Sequence, residues 1–184
     1  GAEVVIPFDA DELVYSQVEG KTVKALLSSS STRVISMPSW NHYCTAGDNQ
    51  SEINPYRKML WRSKDASVMN KAAYWWSPHI TIGEGNHLVM RHGSAIAGSE
   101  VGICIRHLPY RSPEQFVHKA VRGNRALVLS GLPRNIGLHW REYAESAEKH
   151  GPEQLKNHYR KYFTFGFEPN EKLILDPAPY QGKA

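Results

Sequence analysis

Cysteine is almost missing from this sequence: Cys44 and Cys104 are the only two among 184 residues. Two thiols cannot build the disulfide framework of a small secreted domain, and a reducing, cytoplasmic setting is the simpler expectation. Long apolar runs are missing too, and none approaches the ~20 residues a transmembrane helix needs. We find no internal repeat. Neither charge sign dominates: 22 Lys and Arg against 18 Asp and Glu leave +4, too little over this length to point to nucleic acid by itself. What remains is ordinary globular composition, 41% apolar and 22% charged, with enough chain to bury a core.

The chain opens on a short apolar run, Val4-Val5-Ile6-Pro7-Phe8, which reads as a buried parallel strand. Such a strand needs neighbours on both sides, so we expect one of them to lie in chain outside this sequence. Residues 22–28 read as a short amphipathic helix that fades into the serine run 28–31. Arg33 to Tyr43 reads as a strand with an edge or bulge at Pro38. A polar loop over 44–56 follows, then short strands over 71–76, 79–83, 86–92 and 100–106.

From Ser112 the character changes. Ser-Pro-Glu-Gln is a helix start, with Ser112 as N-cap, Pro113 in the first turn and Gln115 closing a capping box. Phe116, Ala120 and Leu127 form the buried stripe behind it, Val121 is also assigned to packing, and Gly123 weakens the helix's far end. Two more helices are expected over 138–149 and 152–162, then an extended tail containing Pro169, Pro177 and Pro179. The expected architecture is α/β: a mixed sheet in residues 1–131 and a helical section in 132–184.

The most informative stretch is Asp9-Ala10-Asp11-Glu12, directly after the first apolar run. Carboxylates at the carboxyl edge of an α/β sheet lie where such sheets bind ligands. Asp9 and Asp11 share a side if the strand persists; otherwise a turn must converge them. Two such groups repel each other, and a hard divalent cation, Mg²⁺ or Mn²⁺, is the natural third party. A solvated acidic turn is the plain alternative.

This stretch resembles the "DADE" signature of family 2 glycosyltransferases. Downstream, His107-Leu108-Pro109-Tyr110-Arg111-Ser112-Pro113-Glu114-Gln115-Phe116, followed by Lys119 and Gly123, is similar to the H-x-P-x-R-S-x-E-Q-F-x-x-K-x-x-x-G segment of a bacterial branch of that family. Together the two signatures frame about two thirds of the chain. The resemblance implies part of a GT-A-type domain that moves a sugar from a nucleotide-sugar donor to a carbohydrate or lipid-linked acceptor. It implies that Asp11 ligates the cation, that Asp9 sits near the donor's ribose or a metal-bound water, and that His107 completes the metal site. Residues 1–131 would then be the metal and acceptor side. The family's nucleotide-binding half precedes the DADE strand and is not in this sequence.

Other residues admit two readings. An inverting transfer needs a carboxylate base, and Glu12, Asp48 and Glu84 are candidates; each is equally a turn or surface acid. Arg111 and Lys119 can meet donor phosphate, or cap a helix and face water. His79, His87 and His92 match no zinc spacing. Trp40, Tyr43, Trp61, Trp75 and Trp76 can stack on sugar rings or fill a core, and on a strand one of the adjacent pair Trp75-Trp76 must face the other way.

Two other functions stay open. In a haloacid-dehalogenase-type phosphatase Asp9 would be the nucleophile and Asp11 the acid/base. A non-enzymatic nucleic-acid or phosphate-binding module would use Arg122, Arg125, Arg134 and Arg141. We expect no nucleic acid among the partners, and a peripheral contact of the basic helical surface with anionic lipid is compatible with a lipid-linked acceptor.

Overall fold

The computed structural model describes residues 3–166 and 172–176, so the proline tail lies outside the described residues. In chain order the elements are β1 (Val4–Val5), β2 (Glu12–Ser16), α1 (Val23–Ser29), β3 (Val34–Met37), β4 (Ser39–Thr45), α2 (Pro55–Lys58), β5 (Trp61–Ser63), β6 (Lys71–Trp75), β7 (Ile80–Ile82), β8 (Val89–Arg91), β9 (Ser94–Ile96), β10 (Ile103–His107), α3 (Pro113–Leu129), α4 (Leu138–His150), α5 (Pro152–Tyr162), β11 (Thr164–Phe165) and β12 (Leu173–Leu175). The fold is mixed α/β, with a mixed sheet and a helical C-terminal part. Its described residues divide into two units, 3–42 with 62–109 and 172–176, and 43–61 with 110–166. Among the described residues no helix is long and apolar enough to cross a membrane.

In the first unit the sheet that matters most has the order β12-β5-β4-β10-β2. β10 is its centre, antiparallel to β2 and parallel to β4. Two other three-stranded sheets run β1-β6-β3 and β7-β8-β9. The stretch 33–43 is two strands in two sheets. β3 pairs with β6, Pro38 interrupts the ladder, and its carbonyl accepts the amide of Ile105 at 2.8 Å as β4 joins β10. α1 begins where Thr22 Oγ1 accepts the amide of Ala25, and it buries Leu26. Leu26, Ile35, Met37, Ala73, Ile103 and Ile105 form the core.

The opening run departs from expectation. Only Val4 and Val5 are strand; they pair antiparallel with β6 at a sheet edge, and Phe8 is exposed. Pro7 has no amide to donate, which ends the ladder before Asp9.

The second unit packs α3, α4 and α5 around Phe116, Val117, Ala120, Leu155 and Tyr159. Ser112 Oγ accepts the amide of Gln115 at 3.1 Å, while Gln115 Oε1 accepts from Arg111 rather than from Ser112, a capping box shifted by one residue. Gly123 does not break α3. A Cβ there would lie 3.3 Å from the ring of Trp140, so its lack of a side chain lets α4 pack closely. Val121, assigned to the core on sequence, is 46% exposed.

Candidate functional site

The Asp9–Glu12 segment is a turn closed on itself. The amide of Glu12 donates to Asp9 O at 3.0 Å, and the amide of Asp9 donates to Glu12 Oε2 at 2.9 Å. The ladder between β2 and β10 sets Glu12 opposite His107, and the amide of Leu108 donates to Asp11 O at 2.9 Å. Sheet pairing thus brings the two signatures side by side.

His107 Nε2 lies 3.7 Å from Asp11 Oδ2, with the two side chains 25% and 12% exposed. That is too long for a hydrogen bond. The other ring nitrogen, Nδ1, is 2.7 Å from Asn41 Oδ1. A carbonyl oxygen can only accept, so Nδ1 carries the proton in this contact and Nε2 is oriented toward Asp11. An imidazole held by an outer partner in this way has the arrangement seen around metal-ligating histidines.

Asp9 does not join this pair. Its carboxylate takes the ammonium of Lys71 at 2.8 Å, and the same Nζ lies 3.2 Å from Glu12 Oε1. The turn therefore separates its carboxylates: Asp9 and Glu12 meet Lys71, whereas Asp11 meets His107. Among the described residues no three His, Cys, Asp or Glu side chains converge as a metal-holding group. Of the expected set Asp9, Asp11 and His107, the structure brings Asp11 and His107 within 3.7 Å of each other and pairs Asp9 with Lys71. Burial works against the Lys71 charge, but the two carboxylates outweigh it and raise the lysine's pKa above its ordinary value. Nothing in the sequence pattern singled out Lys71; only the pairing of β6 with β1 and β3 reveals it.

The candidate bases separate clearly. Glu12 has a side chain only 1% exposed and both oxygens engaged by the fold, which makes it a structural acid. Asp48 is likewise structural: it accepts from Thr45 N and Thr45 Oγ1 at 3.0 and 2.7 Å. Glu84 is solvent-exposed on a short turn, and His87 Nδ1 ties that turn to Asn70 O, the residue before Lys71. His79 and His92 stack on each other at 4.7 Å on the small β7-β8-β9 sheet.

Trp75, the last residue of β6, packs partly into the core, whereas Trp76, just past the strand, is 62% exposed. Both line a cavity of about 340 Å³ with Arg33 and Arg91. Trp40 is covered by the guanidinium of Arg62, 4.7 Å from the ring centroid. A cavity of about 920 Å³ lies along Tyr15–Val23 with Arg62 and Asp176 and includes none of the acidic turn.

In the second unit, Arg111 lines a cavity of about 310 Å³ at the start of α3, together with Lys58 and Arg160. Lys119 Nζ lies 5.7 and 5.4 Å from the ring centroids of Tyr110 and Trp140. Arg141 is buried, donating to the carbonyls of Ile136 and Leu132.

The phosphatase alternative needs its nucleophile at the end of a central parallel strand. β1 is a two-residue antiparallel edge strand, so among the described residues the strand expected before Asp9 is absent for the phosphatase and the glycosyltransferase readings alike. No known protein-family profile matches the chain, and no curated protein matches it.

Proposed function

We propose that this chain carries the metal and acceptor side of a metal-dependent glycosyltransferase of GT-A type. The observation that supports this most is the meeting of Asp11 and His107, from two signatures at opposite ends of the first unit's sequence, with the imidazole already oriented by Asn41. A carboxylate oxygen and an imidazole nitrogen suit Mn²⁺ or Mg²⁺, and diphosphate oxygens and water would complete the shell. Such an ion supplies charge neutralisation on the departing nucleoside diphosphate.

The remaining residues divide the work. Lys71 holds the acidic turn in shape through Asp9 and Glu12. Glu84 is the proposed base for the acceptor hydroxyl. The Trp75–Trp76 cavity, with its two arginines, offers an aromatic face and hydrogen-bond donors to a sugar acceptor. Arg111, with Lys58 and Arg160, offers cationic contacts to phosphate. The setting is taken to be cytoplasmic.

The test is calorimetric titration of Mn²⁺ in the presence of a panel of nucleoside diphosphates. Asp11→Asn and His107→Ala should abolish measurable binding, and Asn41→Ala should weaken it by about 10- to 100-fold through loss of ring orientation. Wild-type metal affinity in both Asp11→Asn and His107→Ala would refute the assignment.

A further inference from the structure

From Gln115 to Arg141 the sequence contains no Asp or Glu, yet it contains Lys119, Arg122, Arg125, Arg134 and Arg141. Lys119 lies against Tyr110 and Trp140, and Arg141 is buried, so the solvent-facing cations are Arg122, Arg125 and Arg134. Arg134 is paired with Glu145 at 3.0 Å, while among the described residues neither Arg122 nor Arg125 forms an ion pair. α3 buries Phe116, Val117 and Ala120 against the other helices. Positions 118, 121, 122, 125, 128 and 129, spaced by three and four, are all exposed and make up its outer face.

That outer face is not the charged, mixed surface expected of a solvated helix. Val121, Val128 and Leu129 are 46, 60 and 76% exposed, and the segment that follows adds Leu132 and Leu138 at 47 and 51%. Aliphatic side chains stand among arginines with no acid in the same stretch of chain, and an acid from the neighbouring helix, Glu148 of α4, lines one cavity with Val121 and Arg125. Each class of partner would demand something different of such a surface. Single-stranded nucleic acid would call for exposed aromatic rings on which bases stack, but Phe116 and Tyr159 are buried in the unit's core, with Trp140 and Tyr143 packed against it. A bilayer rich in anionic lipid asks for aliphatic groups that enter the interface and guanidinium groups that meet phosphates.

We propose that the outer face of α3 and the segment to Leu138 form a docking surface for anionic membrane. The apolar side chains would enter the headgroup boundary, with Arg122 and Arg125 on lipid phosphate. The inference does not depend on the glycosyltransferase reading, because none of these residues belongs to the Asp11–His107 site.

The test is co-sedimentation of the full chain with vesicles of pure phosphatidylcholine and of equal parts phosphatidylcholine and phosphatidylglycerol. Binding should occur on the mixed vesicles, be weak on the neutral ones and fall as salt is raised. Removing each arginine charge should cost about fivefold in partitioning, so Arg122→Gln with Arg125→Gln should cost about 25-fold. Leu129→Gln and Val128→Gln, both at exposed positions, should each lower binding severalfold with unchanged circular dichroism. Equal binding to both vesicle types, no binding to either, or full binding by both polar variants would overturn the proposal. So would RNA binding tighter than vesicle binding that depends on the arginines but not on Leu129.

Discussion

Replacing Lys71 by methionine isolates the contact that shapes the acidic turn. The lysine side chain is 7% exposed and that of Glu12 only 1%. Methionine keeps most of the volume and removes the ammonium, leaving Glu12 with a buried charge and, of the bonds described here, only the Asp9 amide on Oε2. Breaking a buried ion pair by deleting one partner costs about 3–5 kcal/mol, because the survivor keeps its desolvation penalty. Asp9, whose side chain is 56% exposed, regains water and adds no more than about 1 kcal/mol. We expect a loss of about 3 kcal/mol, read from urea unfolding by circular dichroism, and a melting temperature lowered by about 6–12 °C for a chain of this size. The double variant Lys71→Met with Glu12→Gln removes the stranded charge and should recover about 2 kcal/mol of that loss. The sign with pH also follows. The lysine's folded pKa lies above its ordinary 10.5, so its contribution is complete below that value and fades as pH rises through the higher folded value. A Lys71→Met variant within about 0.5 kcal/mol of wild type, the usual span for a neutral surface change, would refute the reasoning, as would a double variant that loses the sum of the singles.

Two further outcomes follow from burial. Cys104, in the centre of β10 and 1% exposed, has its thiol pushed up to about 12 by desolvation, and burial raises Cys44 as well. A thiol reagent at pH 8 should therefore find no fast-reacting group in the native chain and two after denaturation, and a rapid native reaction would contradict the packing. In the helical unit, burial lowers the pKa of His139 and His158, helped for His158 by Lys161. Groups lowered in the folded state lend stability above their ordinary 6.5 that is lost as pH falls through the folded values, so melting temperature should drop as pH falls below 6.5. His139→Gln with His158→Gln should flatten that slope.

Local chemistry made much of the outline legible. The caps at Thr22 and Ser112 begin helices where side-chain oxygens can accept backbone amides, and Pro152 opens α5 because its missing amide is an orphan there anyway. The first apolar run misled because composition cannot tell a central parallel strand from a two-residue edge strand. Pro38 was visible as an interruption, but not as the point where the chain changes sheets, since pairing partners are set by distant residues. Within the candidate site, the nearness of Asp11 and His107 followed from the two signatures. The diversion of Asp9 and Glu12 to Lys71 did not, because a lysine at the start of a strand reads as an ordinary solvated charge.

That diversion has a consequence for metal binding. With Asp9 and Glu12 both held on the Lys71 ammonium, Asp11 supplies the carboxylate 3.7 Å from His107 Nε2, and affinity for divalent ions rises with the charge of the ligand set. Bare Mn²⁺ should therefore bind weakly, and a nucleoside diphosphate should tighten it by supplying the missing anionic oxygens. Linkage requires the same factor in reverse: whatever the diphosphate does for Mn²⁺, Mn²⁺ does for the diphosphate. We expect at least about tenfold mutual tightening, ~1.4 kcal/mol of coupling, measured by titrating each ligand with and without saturating amounts of the other. Asp9→Asn should leave this coupling within about twofold of wild type, because Asp9 spends its charge on Lys71. Asp11→Asn should remove it. Tight binding of Mn²⁺ alone, lost in Asp9→Asn, would show that Asp9 leaves Lys71 to join the ion, and the division of labour within the turn would then be wrong.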